Sequence, residues 1–185
     1  MDLKTVNLSL KLLIRALDEL IYSPRANEDE EEDTLSHIQE ACLRFVYYHS
    51  TDGEKPLAKE VAEALMISNA AVTRLLDRLE KKGYITRKPN TGDRRQMSLV
   101  LTPTGKDIIV KKEDEQEEKL GAILAQLSPK EQGSFFQGLN AFMEAALTDK
   151  EVIDRICLRC GWSHRAECPG NQIYHTLTGE DKSNV

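Results

Sequence analysis

The sequence predicts a mostly α-helical protein with a small β-hairpin wing, organised as a winged helix-turn-helix joined to a helical dimerisation region. Apolar residues recur at helical spacing through most of the chain. Within residues 57–82, two short amphipathic helices are separated by a tight turn. Residues 84–101 follow directly with two short strands around a turn that contains Pro, Asn and Gly.

The length and composition are those of a globular protein that forms either one domain or a small domain with extensions. The 185 residues are 40% hydrophobic and carry a net charge of −6. There is no apolar run of the roughly 18 residues that a membrane-spanning helix needs. The N-terminus lacks the basic start and the small-residue cleavage site of a signal peptide. We therefore expect a cytoplasmic protein that does not bind membranes.

Both helices of the 57–82 segment have an apolar face. In the first helix, Leu57, Val61 and Leu65 recur at every fourth residue. Ser68 is a favourable N-cap for the second helix. Gly83 follows two lysines, which is typical of a helix end. The apolar face of the second helix is predicted to hold Val72, Leu75, Leu76 and Leu79.

The opposite side of the second helix has small, polar and basic side chains that suit contacts with base edges in a major groove. These side chains are Ser68, Asn69, Ala70, Thr73 and Arg74. The hairpin adds cations that are predicted to reach phosphates or a minor groove, namely Arg87, Lys88, Arg94 and Arg95. Residues 74–95 contain eight cations and three anions, a local balance of +5. Because exposed charges act over only about 8 to 10 Å, this local balance favours binding to double-stranded DNA despite the acidic total.

Three stretches carry a family resemblance: AAVTRLLDRLEKKGYITR at 70–87, GDRR at 92–95 and LVLTPTG at 99–105. They are similar to the MarR family of winged-helix transcription regulators, and the resemblance covers about residues 35–147. It implies a homodimer that binds a pseudo-palindromic operator. It also implies that Asp93 braces Arg95, which enters the minor groove, with Arg94 beside it.

The N-terminal helix has a heptad seam that one chain leaves without an obvious partner. Its leucines and valine are spaced 3, 4, 3, 4, 3, a pattern that needs another helix or another chain. The seam consists of Leu3, Val6, Leu10, Leu13, Leu17 and Leu20, widened by Ile14 and Ile21. The family resemblance implies an interlocked dimer, and the alternative is a helix docked on its own domain. The acidic residues 27–33 are interpreted as a solvated linker, with an acidic metal-binding patch as the alternative.

Residues 35–49 have the pattern of a helix with Ile38, Cys42, Phe45 and His49 along one face. Cys42 is therefore predicted to be a small buried hydrophobic residue. The resemblance implies a cleft for a small-molecule or redox effector between the dimer helices and the DNA-binding region. Its predicted border is His37, Arg44, Tyr47 and Tyr48. The alternative is that these side chains pack or face solvent individually.

A long helix is predicted to begin after Thr102, with Pro103 as its first residue. Ile108 and Ile109 begin an apolar face, whereas residues 111–119 are polar on nearly every side and are predicted to cross solvent. Ser128 and Glu131 form a predicted capping box for a further helix. The apolar stripe of that helix is Phe135, Leu139, Phe142, Met143 and Ala146.

The C-terminal tail contains a cluster of possible metal ligands, Cys157, Cys160, His164 and Cys168. Two cysteines separated by two residues can share one tetrahedral metal, which favours zinc. The Cys168-Pro169 pair is also typical of iron–sulfur motifs, so a cluster is an alternative cofactor. Free or redox-active thiols are the third alternative. The family resemblance does not extend to this tail.

These patterns divide the chain into four segments: a dimerisation helix and acidic loop (1–34), the winged helix-turn-helix (35–102), C-terminal dimerisation helices (103–153) and the Cys/His tail (154–185). No catalytic motif is present, so we do not expect an enzyme. The leading hypothesis is a DNA-binding transcription regulator, possessing a tail whose metal or redox state modulates binding. The rival hypothesis is a metal-binding module whose winged helix binds a protein. A plain helical hairpin with a solvated basic face is the remaining alternative.

Overall fold

The computed structural model describes residues 2–22, 35–50, 55–90, 92–160 and 167–182, except for the side chain of residue 159. These residues form eight α-helices and one antiparallel β-hairpin. The helices are α1 (Leu3–Leu17), α2 (His37–Tyr48), α3 (Ala58–Leu65), α4 (Asn69–Lys81), α5 (Pro103–Leu124), α6 (Pro129–Ala146), α7 (Lys150–Cys160) and α8 (Pro169–Thr178). The strands are β1 (Ile85–Pro89) and β2 (Met97–Leu101), and a π-helical segment, Asp18–Tyr22, continues α1. This architecture confirms the predicted fold class.

The helix-turn-helix consists of α3 and α4, whose inner faces meet in the main core. Met66 ends α3 in the left-handed conformation, and the Ser68 hydroxyl caps α4 by accepting a hydrogen bond from the Ala71 N–H. The predicted apolar face of α4 is buried, and Leu79 has no exposed surface. Gly83 has a φ of 74°, which explains why glycine follows this helix. The prediction for α4 is therefore confirmed. In α3, Val61 of the predicted stripe is buried, whereas Leu57 and Leu65 are half-buried.

The hairpin packs directly behind α4 and is fixed in register. Ile85 pairs with Leu101, and Pro89 pairs with Met97. Ile85, Leu99 and Leu101 are buried against the main core, whereas Met97 is 43% exposed at the distal end. An isolated two-stranded hairpin is only marginally stable in water, and this hairpin is stabilised by its packing on the helices.

The start of α5 lies against the start of the hairpin. The Thr102 hydroxyl caps α5 and also donates a hydrogen bond to the Gly83 carbonyl. A Cβ added to Gly105 would lie 2.0 Å from the Tyr84 carbonyl oxygen. Glycine is therefore required where the LTPTG segment passes the hairpin backbone.

Two predictions about helix faces are wrong. Ile38 is 39% exposed, although it was assigned to the inner face of α2, which instead buries Gln39 and Glu40 with Cys42. The middle of α5 does not cross solvent, because Gln116 is only 8% exposed and lies against α2. In both places polar side chains satisfy one another at a helix contact, which a hydropathy pattern does not detect. Cys42 is buried as predicted.

Helices α1 and α6 contain no buried residue. In α1 the predicted seam leaves Leu10 and Leu13 more than a third exposed, and α6 has Phe136 and Phe142 more than half exposed. The predicted Ser128 to Glu131 capping box is present at the start of α6. The acidic residues 27–33 lie outside the described residues.

The tail forms a second small core against the end of α6. Ile153 and Cys157 of α7 pack with Ile173 and Tyr174 of α8, and Met143 and Leu147 lie against this cluster. Helix α7 also contacts α3. Its residue Leu158 packs against the main core, the larger of the two buried clusters, which includes Val61 of α3 and Leu79 of α4. The predicted segment boundary at residues 153–154 falls inside α7.

Candidate nucleic-acid interface

The face of α4 that is turned away from the core carries the residues predicted to read DNA. Asn69, Ala70, Thr73 and Arg74 are all exposed, as is Ser68 at the N-cap. The Thr73 hydroxyl donates to the Asn69 carbonyl at 2.9 Å, which orients its methyl group and oxygen on this face. Because the core fixes the opposite face, α4 presents these side chains on a rigid support.

The tip of the hairpin is organised by two side chains. The Asn90 carboxamide oxygen accepts hydrogen bonds from the N–H groups of Gly92 and Asp93 at 2.8 and 3.1 Å. The Asp93 carboxylate accepts from the Arg95 N–H at 3.0 Å and from the Gln96 side-chain amide at 3.1 Å. These two bonds, the Arg95 N–H first, hold the pKa of Asp93 below its ordinary value.

Asp93 contacts Arg95 through the arginine backbone. Asp93 binds the backbone N–H of Arg95, and within the described part of the hairpin it forms no ion pair with the guanidinium of Arg94 or Arg95. Both arginine side chains are exposed, as is Lys88. Asp93 therefore fixes the loop backbone and leaves the two guanidinium groups available for an anionic partner.

Arg87 has a different environment from the other hairpin cations. Its guanidinium lies 2.6 Å from the Asp77 carboxylate and 3.6 Å from that of Glu80, both on α4. The Arg87 N–H also donates to Glu80 at 3.2 Å. In this structure Arg87 joins the hairpin to α4 instead of extending towards a phosphate.

Sequence reasoning missed a polar network between α2 and α5. Arg44 lies 2.6 Å from Glu40 and 3.7 Å from Glu113, and the Tyr48 hydroxyl donates to Glu113 at 2.7 Å. Gln116 donates to Glu40 at 3.0 Å. Burial raises the pKa of Glu113, whereas the Tyr48 hydrogen bond and the charge of Arg44 lower it by less.

A signal for this network was present in the sequence. Ile109, Glu113 and Gln116 are separated by four and three residues, so they continue one face of α5. Glu40 and Arg44 have the matching spacing of four on α2. Of the predicted effector border, Arg44 and Tyr48 belong to this network, Tyr47 packs beside Tyr48 at a ring distance of 4.9 Å, and His37 is exposed.

The structure brings two of the predicted tail ligands together. A Cβ added to Gly170 would lie 3.4 Å from the sulfur of Cys157 and 3.7 Å from that of Cys168. Burial raises the pKa of the Cys157 thiol to about 11, so this thiol is protonated at neutral pH and is a poor nucleophile. Among the described residues, no three His, Cys, Asp or Glu side chains already have the arrangement of a metal site. His164 lies outside those residues.

The described helices also include none that is long and apolar enough to cross a membrane.

Comparisons with known proteins agree with this geometry. The model of the MarR family matches residues 39–97, which include α3, α4 and β1 and end at the first residue of β2. The HTH-type transcriptional regulator PecS of Dickeya dadantii is 38% identical over 120 residues, which are 65% of this chain and 66% of PecS. The match thus covers just under two thirds of that relative.

Two solved structures have the same fold. The YusO protein from Bacillus subtilis is 25% identical with a TM-score of 0.59, and the match covers 79% of this chain and 95% of YusO. FabT of Streptococcus pneumoniae, solved in complex with DNA, is 21% identical with a TM-score of 0.61, and the match covers 78% of this chain and 97% of FabT. Together with the exposed face of α4 and the basic hairpin, these matches identify residues 39–97 as a domain of the MarR family, a family of winged-helix transcription regulators that are not enzymes.

Proposed function

We propose that this chain regulates transcription by binding double-stranded DNA as a homodimer at a pseudo-palindromic operator. Helix α4 enters a major groove, and Ser68 lies beside the sugar–phosphate backbone of the DNA. The side chains that face base edges are Asn69, Ala70, Thr73 and Arg74. The hairpin acts as the wing, and its tip reaches a neighbouring minor groove or its phosphates. Such a regulator acts in the cytoplasm, where the chromosome lies.

The exposed cations of the hairpin carry this proposal. Lys88, Arg94 and Arg95 are exposed beside the free face of α4. Of the three acidic residues in the same segment, Asp77 and Glu80 contact Arg87, and Asp93 accepts from the Arg95 N–H. The surface offered to a partner is therefore more basic than the chain as a whole. The relative FabT was solved with DNA on the same fold, which supports a nucleic-acid partner.

The helices α1 and α6 support the homodimer. Each has an apolar stripe that the other described elements leave largely uncovered, since neither helix contains a buried residue and only Met143 of the α6 stripe packs against the tail core. A second copy presents the same stripes, so a two-fold axis can bury them in one interface. The two copies of α4 then read half-sites about 10 bp apart, centre to centre.

Modulation of DNA binding is the third part of the proposal. A small-molecule effector that binds at the α2–α5 contact would touch the charged network of Glu40, Arg44 and Glu113. Because this network joins α2 to α5, a displacement of α2 on binding would also move α5. The tail offers a second route, because α7 contacts α3 of the helix-turn-helix. We expect either route to act by shifting the distance between the two copies of α4.

The decisive experiment measures DNA affinity after removal of one wing arginine. The probe is either the DNA upstream of the gene that encodes this chain or DNA selected from a random pool. Arg95→Ala should weaken binding by about 1–3 kcal/mol and lower the salt dependence of binding by about one counterion. Lys111→Ala is the matched control, because it removes one exposed cation from α5, away from the wing. Equal affinities of Arg95→Ala and the wild type would contradict this assignment.

The same assay separates the rival hypothesis. A winged helix that binds a protein has no use for a phosphate-facing basic tip, so it would show only weak, sequence-independent DNA binding. Selection of a discrete palindromic sequence from the random pool would exclude that alternative. Failure to enrich any sequence would favour it.

A further inference from the structure

A cleft of about 310 Å³ lies between the end of α6 and helix α8. Asn140 and Glu144 of α6 line one wall, Leu147 follows at the C-cap of that helix, and Gln172 and Ile173 of α8 line the other wall. Clefts of this size are large enough to bind a small organic molecule. Both helices lie beyond residues 39–97, so the matched family domain does not account for this cleft.

The cleft and the apolar stripe of α6 occupy different sides of that helix. Asn140, Glu144 and Leu147 are separated by four and three residues, so they share one side of α6. The apolar stripe is displaced from them by one position, as Leu139 is from Asn140, which is about 100° around an α-helix. The cleft is therefore a separate surface from the stripe that we assign to the dimer interface.

The apolar part of the lining continues the small core of the tail out to the surface. Ile173 is 8% exposed and belongs to that core, and Leu147 packs against it. Pro169 at the start of α8 and Leu177 near its end, the latter 44% exposed, extend the apolar lining. An apolar ligand body would gain free energy by removing this surface from water.

The polar part of the lining consists of hydrogen-bond acceptors that are not used elsewhere in the described chain. The side chains of Asn140, Glu144 and Gln172 form no hydrogen bond or ion pair with another described residue. Their carboxylate and carboxamide oxygens are therefore available to donors on a ligand.

The charge of the lining favours a cation over an anion. Of the described residues that line the cleft, Glu144 alone is ionisable. Lys150 and Lys182 lie over the Tyr174 ring, at 5.6 and 5.0 Å from its centre, and neither lines the cleft. An ammonium group beside Glu144 would form charge-assisted hydrogen bonds, whereas a carboxylate in the same place would be repelled.

We propose that this cleft binds a primary amine with an apolar body. The ammonium group donates hydrogen bonds to the Glu144 carboxylate and to the amide oxygen of Asn140 or Gln172, while the body packs against Ile173 and Leu177. Since the ligand contacts α6 and α8 together, its binding stabilises the packing of the tail on α6. The site does not depend on the proposed function, because no residue of the DNA-binding surface takes part in it.

The test is calorimetric titration of the full chain with three compounds that share one ring system: naphthylmethylamine, naphthylmethanol and naphthoate. We expect one amine to bind per chain, the alcohol to bind about 10-fold more weakly because it lacks the charged donor, and the carboxylate to show no binding. Glu144→Gln keeps the shape and removes the charge, so it should weaken binding of the amine about 10-fold and leave that of the alcohol unchanged. Glu118→Gln, at an exposed position of α5, is the matched control and should bind all three compounds as the wild type does.

A second variant tests the location of the site. Thr176 is exposed on α8 and lines the cleft, so the ring introduced by Thr176→Phe should fill the cleft and abolish binding of both the amine and the alcohol. A circular dichroism spectrum like that of the wild type would show that this variant folds. Unchanged binding of the amine by the folded variant would overturn the site.

The remaining outcomes separate the site from its ligand class. Equal affinities for the amine and the carboxylate, or unchanged affinity for the amine in Glu144→Gln, would overturn the assignment to amines. Several amines bound per chain in every variant would indicate adsorption on the exposed apolar helices and would overturn the site itself.

Discussion

The winged region and the helices that flank it place their apolar side chains differently. In α4, Leu76 and Leu79 are at most 2% exposed, whereas Leu3 of α1 is 78% exposed and Phe136 of α6 is 61% exposed. The winged region therefore closes its core within one chain. Helices of 15 and 18 residues are marginal in water without tertiary packing, so the flanking helices need a further surface.

The largest effect is expected at the dimer interface that we propose for the flanking helices. Leu10→Asp combined with Leu13→Asp should abolish dimerisation, because each buried unpaired charge costs several kcal/mol. Sedimentation at micromolar protein should then give the mass of one chain. Leu12→Asp is the matched control, since Leu12 lies off the seam and is 71% exposed. A double variant that remains dimeric would show that the seam is not the interface.

The next effect concerns the core of the winged region. Leu79→Ala should lower the free energy of unfolding by about 2–5 kcal/mol, because a fully buried leucine leaves a cavity. Urea unfolding of the isolated variant measures this loss. Leu12→Ala should change stability by less than about 0.5 kcal/mol, as an exposed site does. Similar losses at both positions would remove the contrast between the two regions.

Gly105 and Gly133 differ in the space that is available to an added methyl group. Gly105→Ala should cost about 1–3 kcal/mol, because its methyl group would collide with the Tyr84 carbonyl, which cannot rotate away. Gly133 of α6 has no neighbour within 4 Å of an added Cβ. Gly133→Ala should therefore stabilise its helix by up to about 1 kcal/mol. Thermal unfolding of both variants checks these signs, and a stabilising Gly105→Ala would refute the close approach.

The smallest effect is a pH dependence at the boundary between the two regions. The folded protein raises the pKa of Glu113, so the protonated form stabilises the fold at low pH. That contribution is lost as the pH rises from below the ordinary glutamate value through the raised one. Relative to wild type, Glu113→Gln should gain stability across this window, by less than about 1 kcal/mol because the group is partly exposed. Unfolding at several pH values measures it.

Glu118→Gln, at an exposed position of the same helix, is the control for this experiment. It should leave the pH dependence of stability close to that of the wild type. A parallel shift in both variants would indicate a general charge effect rather than one at Glu113.

The sequence alone determined the elements whose signals are local. These are the apolar face of α4, the Ser68 and Thr102 caps, Gly83 after α4 and the two strands. Each depends on residues within a few positions of one another, so propensity and periodicity predict them. The candidate DNA-reading residues of α4 follow from the same logic. They lie on the side of α4 opposite its buried apolar face.

Only the tertiary structure decided which polar groups meet. Asp93 could have paired with a guanidinium but binds the Arg95 N–H, and Arg87 turns to Asp77 of α4. The Glu40–Gln116 contact joins residues 76 positions apart, and the Tyr48–Glu113 contact joins residues 65 positions apart. The physical reason is that a polar side chain is buried only where another element supplies its hydrogen-bond partner. The spacing of residues within one helix does not specify that partner. Likewise, the proximity of Cys157 to Gly170 arises from how α8 packs on α7.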